Sequence, residues 1–443
     1  MHRRDFLRTS GALAAGAATH SLLGAVPVAA AGEADHTLRI APVTFELAKG
    51  KSITTIGYNG TVPGPMLRLK EGRKVTLDII NDTDSPELVH WHGLAVSAVA
   101  DGAEEQGSPL VPAHGRQRVS FTPTHPGTRW YHTHAMAMDD MSKGAYSGQF
   151  GFLYVEPKRE PGNYDQEIFL AARHWEPRIL HRGDPNNDWT VDYASASLGT
   201  RALGHGEPIR VKRGQRVLFR LLNADATRDL NLALPGHQFT VVALDGNPVP
   251  NPTKVDVLQI VVAERVDAIV EMNNPGVWVM GSTRDADRAM GLGVVVEYEN
   301  QTGEPQWKAP TGPAWDYTAF GAAEGASPRV AKPLAGTFDL SFHMLADPGR
   351  AFNQWVVNDK IWPNIDPLLV KKGGRYRIIF RSGHEDGHPL HLHRHNFELV
   401  KVGNKATSGI WKDTVRVPRD GTVEVEFVAD NPGLSLQIGR AHV

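Results

Sequence analysis

Leu69-Lys70-Glu71-Gly72-Arg73-Lys74-Val75-Thr76-Leu77 is a phrase that this chain writes three times. The second copy is Val211-Lys212-Arg213-Gly214-Gln215-Arg216-Val217-Leu218-Phe219, and the third is Val370-Lys371-Lys372-Gly373-Gly374-Arg375-Tyr376-Arg377-Ile378. In each, a glycine supplies a turn and the residues after it alternate polar and apolar, which predicts a strand with one buried face. The glycines lie 142 (214 − 72) and 159 (373 − 214) residues apart. Repeats that far apart are whole domains rather than turns of a solenoid. Between the copies run short β-rich stretches broken by Gly, Pro, Asn and Asp, with no long helical period. The expected class is all-β: three consecutive β-sandwich domains. Their expected bounds are residues 35–157, 163–300 and 330–436, with linkers at 156–162 and from about 300 to 333.

Composition narrows the function. The 443 residues are 41% hydrophobic, enough for real cores and against wholesale disorder. Lys plus Arg number 47 against 49 Asp plus Glu, a net of -2, so no nucleic-acid or other polyanion partner is expected. There is no Cys, which excludes a disulfide framework, a zinc ribbon and a thiol nucleophile. Twenty His remain as the residues able to carry chemistry.

They are not scattered. Val89-His90-Trp91-His92-Gly93 holds one His-x-His pair, Trp130-Tyr131-His132-Thr133-His134 a second, and Gly387-His388-Pro389-Leu390-His391-Leu392-His393 a third. On a strand, residues i and i+2 share a face, so each pair presents two imidazoles side by side. That suits two neighbouring metal ions, or one ion held by different strands; neutral imidazole serves copper, zinc, iron or nickel. Lone His174 and His237 read as hydrogen-bonded structural residues, as does His395, which follows a site its neighbours already fill.

The ordered motifs HWHG, WYHTH and HPLHLHRHNF resemble those of the multicopper oxidases, enzymes built of cupredoxin-like Greek-key domains. Tyr58-Asn59-Gly60-Thr61-Val62-Pro63-Gly64-Pro65 and Ala263-Glu264-Arg265-Val266-Asp267 add to a resemblance that covers about residues 36 to 436. It implies four copper ions. His90 and His391 would hold the type 2 copper, His92, His132, His134 and His393 the type 3 pair, and His388 the type 1 copper. It also implies a relay in which a small-molecule reductant or metal ion gives up single electrons and dioxygen is reduced to water. The paucity of Met beyond residue 290, Met344 alone, favours phenolic or aromatic-amine donors. Asp101 matches an acid that delivers protons to oxygen in such enzymes, and equally reads as a turn residue in Ala100-Asp101-Gly102. Glu385 and Asp386 read either as groups orienting His388 or as a solvated loop. Met136, Met138 and Met141 read as packing residues beside the cluster.

The chain departs from the family at one place. The family's last motif carries a Cys between two His, and a blue-copper site needs that thiolate. Here the lead-in Val423 to Leu434 is followed by Ser435, Leu436 and Gln437, then Ile438-Gly439-Arg440-Ala441-His442-Val443, which resembles a translated sequencing adapter. Residues 437–443 are therefore expected to be artefact, domain three incomplete and short of a closing strand, and the chain as it stands inactive as an oxidase. A copper-sequestering protein and a copper-free structural protein of the periplasm are the alternatives. At the other end, Arg3-Arg4, a mildly apolar run and Ala29-Ala30-Ala31 resemble a twin-arginine export signal cleaved after Ala31. The expected location is periplasmic or otherwise exported by the twin-arginine machinery, with no stable membrane insertion after cleavage.

Overall fold

The computed structural model describes residues 32–137, 140–159, 162–183, 189–312, 315–322, 332–346, 353–383 and 387–439, with the backbone alone at 346 and 437–439. The export signal at 1–31, Met138, Glu385, Asp386 and residues 440–443 lie outside them.

The three phrases fold alike where they were expected to. Gly72, Gly214 and Gly373 take φ of 76°, 82° and 78°, a left-handed turn that a side chain would strain. The strands that follow are Val75–Asn81, Arg216–Asn223 and Arg375–Ser382. Each lies parallel to the strand that opens its region: His36–Ala48, Gln166–His181 and Leu334–Ala346. Each also lies antiparallel to a later one: Arg116–Phe121, Arg265–Glu271 and Thr422–Val428. The regions are thus built on one plan. Their sheets number four and four strands, six and five, and seven and three.

Local pattern sets the first and third of these strands, which alternate buried and part-exposed residues. The second does not alternate: Val217 to Asn223 are buried on both faces. The reason is tertiary. Its outward face meets the first region, with Leu222 packed in one cluster with Trp130 and Phe152 and the Arg220 guanidinium 4.3 Å from the Tyr154 ring.

The 300–333 stretch is more than a polar linker. Tyr317–Phe320 forms a short 3-10 turn whose N-cap, Asp316, accepts from the Thr318 N–H, and Tyr317 and Phe320 are buried in the core that spans the second and third regions. Burying a side chain such as Phe320 contributes about 1.5–3 kcal/mol, so the segment is anchored. At the other end of the chain, Gln437–Gly439 pairs antiparallel with the His388–Leu392 strand. The expected gap beside that strand is therefore partly filled. Among the described residues, no helix is long and apolar enough to cross a membrane.

Candidate metal centre

Three strands and the residues just past two of them bring six histidines together. His90 and His92 sit on Val89–His92, which pairs antiparallel with Gly127–Thr133 so that His90 faces His132. His134 follows that second strand by one residue. His391 lies on His388–Leu392 and His393 just past it. Ring centroids link the set: His90 to His132 is 5.2 Å, to His134 5.6 Å and to His393 4.0 Å. His92 lies 3.8 Å from His391, and His134 5.0 Å from His393. All are buried except His134, which is partly covered. Burial holds the His92 and His393 rings well below the usual imidazole range, so they stay neutral.

Hydrogen bonds decide which nitrogen each ring turns inward. A carbonyl can only accept, so His90 Nδ1 donates to Asp101 O at 2.8 Å, His132 Nδ1 to Thr133 O at 2.7 Å and His391 Nδ1 to Asp413 O at 2.7 Å. Their lone pairs therefore sit on Nε2. His92 is reversed: its Nε2 donates to Asp413 Oδ1 at 3.1 Å, leaving a buried Nδ1 with no hydrogen-bond partner. The His90 Nε2 is likewise buried and unpartnered. Three sets of ligand atoms lie within 4.8 Å of one another: His90/His391/His393, His90/His92/His132 and His92/His391/Asp413. Imidazoles converging in one buried space, five of them held by a hydrogen bond from the nitrogen that faces away, suit copper(II) or copper(I).

Asp101 is a turn residue, and it also touches the cluster. It ends the Ala98–Ala100 3-10 turn fully buried, and its Oδ2 accepts from His393 Nδ1 at 2.8 Å and from Gln106 Nε2 at 2.8 Å. Burial would raise its pKa, but His90 and His393 outweigh burial and hold it well below the usual carboxylate range. His388 stands apart. Three residues before His391, it takes the opposite face of the strand, where its ring and that of Trp355 meet nearly at right angles with centroids 4.3 Å apart.

Three models of the family described as Multicopper oxidase match in tandem, at residues 39–160, 128–300 and 330–436. The chain belongs to the multicopper oxidase family. Residues 1–20 match the twin-arginine translocation signal sequence, which directs export across the membrane. A similar protein is the multicopper oxidase MmcO of Mycobacterium tuberculosis, 28% identical over 90% of this chain and 82% of its own. Another is the multicopper oxidase mco of Staphylococcus epidermidis, 26% identical over 91% and 84%. Among solved structures, Lac15 from a marine microbial metagenome matches with a TM-score of 0.66 at 25% identity, covering 91% of this chain and 96% of that one. The multi-copper oxidase of Pseudomonas thermotolerans shares the fold with a TM-score of 0.70 at 24% identity, over 91% and 95%. The fold is three cupredoxin-like domains, and the family's cofactor is copper.

Acids stand beside the histidines, and one of them has no motif to announce it. Asp413, fully buried, touches His92 with its carboxylate and His391 with its carbonyl. Burial would raise its pKa, but the Arg265 guanidinium, 2.8 Å and 2.5 Å from its two oxygens, holds it far below the usual range. Gly93 is the available signal. It has φ 87°, and a Cβ there would come within 2.7 Å of Asp413 Oδ2 and 2.8 Å of Arg265 Nη2. The lone histidines have partners as expected: His174 pairs with Asp225 at 2.7 Å and His237 with Tyr298 at 2.5 Å. His395 lies outside the cluster, its Nδ1 3.2 Å from the His393 carbonyl. Met136 does not pack as expected. It is 68% exposed, because the chain turns out to solvent after His134.

Proposed function

We propose that this chain is the copper-binding body of an exported oxidase that passes single electrons from phenolic, aromatic-amine or metal-ion donors to dioxygen. The observation that carries the reading is the convergence of six imidazoles, five of them anchored by hydrogen bonds, drawn from three strands and the residues just past two of them. His90 and His391 would hold the type 2 copper, His92, His132, His134 and His393 the type 3 pair, and His388 the mononuclear type 1 copper on the opposite face. Bound copper would supply the one-electron redox chemistry that joins a one-electron donor to the four-electron reduction of oxygen to water. Asp101 keeps the His90 and His393 rings turned and places an ionised carboxylate where protons are needed. The protein body excludes bulk water from the rings, which are at most 4% exposed for His90, His92, His132, His391 and His393. The proposed domains are residues 35–157, 163–300 and 330–436.

With no Cys among 443 residues, the thiolate of a blue-copper site has no source within this chain. That favours copper sequestration without turnover as the second reading for the chain as it stands. Anaerobic copper(I) titration, followed by admission of air in the presence of a phenol, tests both. The expected result is saturation at about three equivalents with no intense blue band and no phenol oxidation. A blue band in the copper-loaded chain would overturn the type 1 assignment. Failure to bind copper at all would leave a copper-free structural protein.

A further inference from the structure

The second domain supplies none of the six clustered histidines, yet a side chain from it reaches the cluster's edge. Arg265 is wholly buried, and all five of its side-chain N–H groups are directed at acceptors. Nε points to Thr128 O at 3.4 Å, Nη1 to Ala263 O at 2.9 Å, and Nη2 to Asp245 O at 3.3 Å. The fork then closes on Asp413, with Nη1 2.8 Å from Oδ1 and Nη2 2.5 Å from Oδ2. The acceptors come from the first, second and third regions of the chain, so the guanidinium has one orientation. Asp245 tightens the same corner by accepting from the Asp413 and Thr414 amides at 3.2 Å and 3.1 Å.

We propose that Arg265 is a positioning residue for the histidine cluster: it fixes the Asp413 carboxylate, and Asp413 fixes the tautomer of His92 and the ring plane of His391. The inference rests on the copper reading of the cluster. The chain of contacts is short. Arg265 holds both oxygens of Asp413; Oδ1 takes the His92 Nε2 proton, which leaves the lone pair on the buried Nδ1. The Asp413 carbonyl meanwhile takes the His391 Nδ1 proton. Gly93, with no side chain, leaves the space through which Arg265 and Asp413 meet beside His92. Only a planar fork with two parallel donors can pin a carboxylate in this way; a lysine at this place would carry the charge but free the carboxylate to rotate.

A purely structural role would be that of glue between domains, and Arg220 provides the control. It is also buried, its Nη1 is 2.5 Å from Asp267 and 3.3 Å from Thr128 Oγ1, and it touches no histidine of the cluster. The test compares the full chain with Arg265→Lys and Arg220→Lys by three readouts: melting temperature, imidazole nitrogen NMR of the copper-free protein, and copper(I) affinity by chelator competition. Both variants should melt lower. Arg265→Lys alone should abolish the single Nε2–H tautomer at His92 and weaken copper(I) binding about 10- to 100-fold. Should Arg265→Lys not fold, Asp413→Asn removes the charge that engages Arg265 and leaves a side chain able to present either its amide oxygen or its NH2 to His92, so the same loss of a single tautomer is expected. Unchanged tautomer and affinity in a folded Arg265→Lys, with a lowered melting temperature, would make Arg265 domain glue and end the proposal. If the unmodified chain binds no copper, the copper reading fails, while the NMR comparison still decides whether Arg265 sets the His92 tautomer.

Discussion

The second and third copies of the repeated phrase begin alike and end differently. In the second, Ile209–Val211 lies parallel to Gly293–Tyr298, and Val211 is 2% exposed. In the third, the matching residues Leu368 to Val370 form no strand, and Val370, the counterpart of Val211, is 41% exposed. They border an open cavity of about 590 Å³ whose wall includes Leu340, Ile378 and Phe427 from the sandwich interior. The same seven-stranded sheet that carries Ile378 faces a second sheet of three strands, where the second region has five. A turn and the strand after it are encoded locally; the cover that makes the preceding residues a strand comes from elsewhere in the chain.

That contrast has consequences for stability. By register, Phe219 in the second copy corresponds to Ile378 in the third, and both are completely buried. Phe219→Ala should cost about 3–5 kcal/mol, whereas Ile378→Ala, beside a cavity already open, should fall at the low end of the roughly 2–5 kcal/mol range. Urea unfolding monitored domain by domain checks this, and equal costs would break the comparison. A milder pair sharpens it. Val211→Ser should cost about 2 kcal/mol for a hydroxyl buried under a paired strand, and Val370→Ser, 41% exposed, should change stability by less than about 0.5 kcal/mol. Amide exchange should agree: residues 368–370 should exchange on the timescale of local opening, and Ile209 to Val211 only with wider unfolding of their sheet.

The sequence carries the frame of this molecule and about half of its site. Turn glycines and alternation are local signals, so the strands after Gly72 and Gly373 follow from the amino-acid order alone, whereas the one after Gly214 keeps the turn but is buried on both faces by the first region. The histidine pairs are legible because a strand's two-residue period converts spacing into a shared face. Asp413 is not, since nothing local distinguishes Trp411-Lys412-Asp413-Thr414 from an ordinary strand end. Its role depends on Arg265, 148 residues away in the chain, and on a buried group of three cations and three anions. Those are Arg129, Arg265 and Lys412 against Asp245, Glu264 and Asp413, all without exposed surface. Only tertiary packing can offset the cost of burying that many charges. The anchored segment at Tyr317 to Phe320 is hidden for a related reason: Pro and polar residues around it mask aromatics whose partners lie far off in sequence.

One difference between the copies is electrostatic. Ala172 pairs with Asn223 in the second region and Phe342 with Ser382 in the third, so His174 corresponds to Met344. Burial would lower the His174 pKa, but Asp225 at 2.7 Å outweighs it and raises the ring to about 9. A group whose folded pKa is raised stabilises fully below its unfolded pKa, near 6.5, and loses that contribution as pH rises through 9. The second region should therefore lose on the order of 2 kcal/mol between pH 6.5 and 9, and the third should lose nothing from this position. His174→Met, which writes the third copy's residue into the second, should flatten the fall in melting temperature over that window. Subtracting the variant's profile from the parent's isolates His174, because the clustered histidines are the same in both. An unchanged slope would mean that the ring is neutral in the folded protein and that Asp225 is balanced by Arg173, whose guanidinium donates to the Ala224 carbonyl beside it.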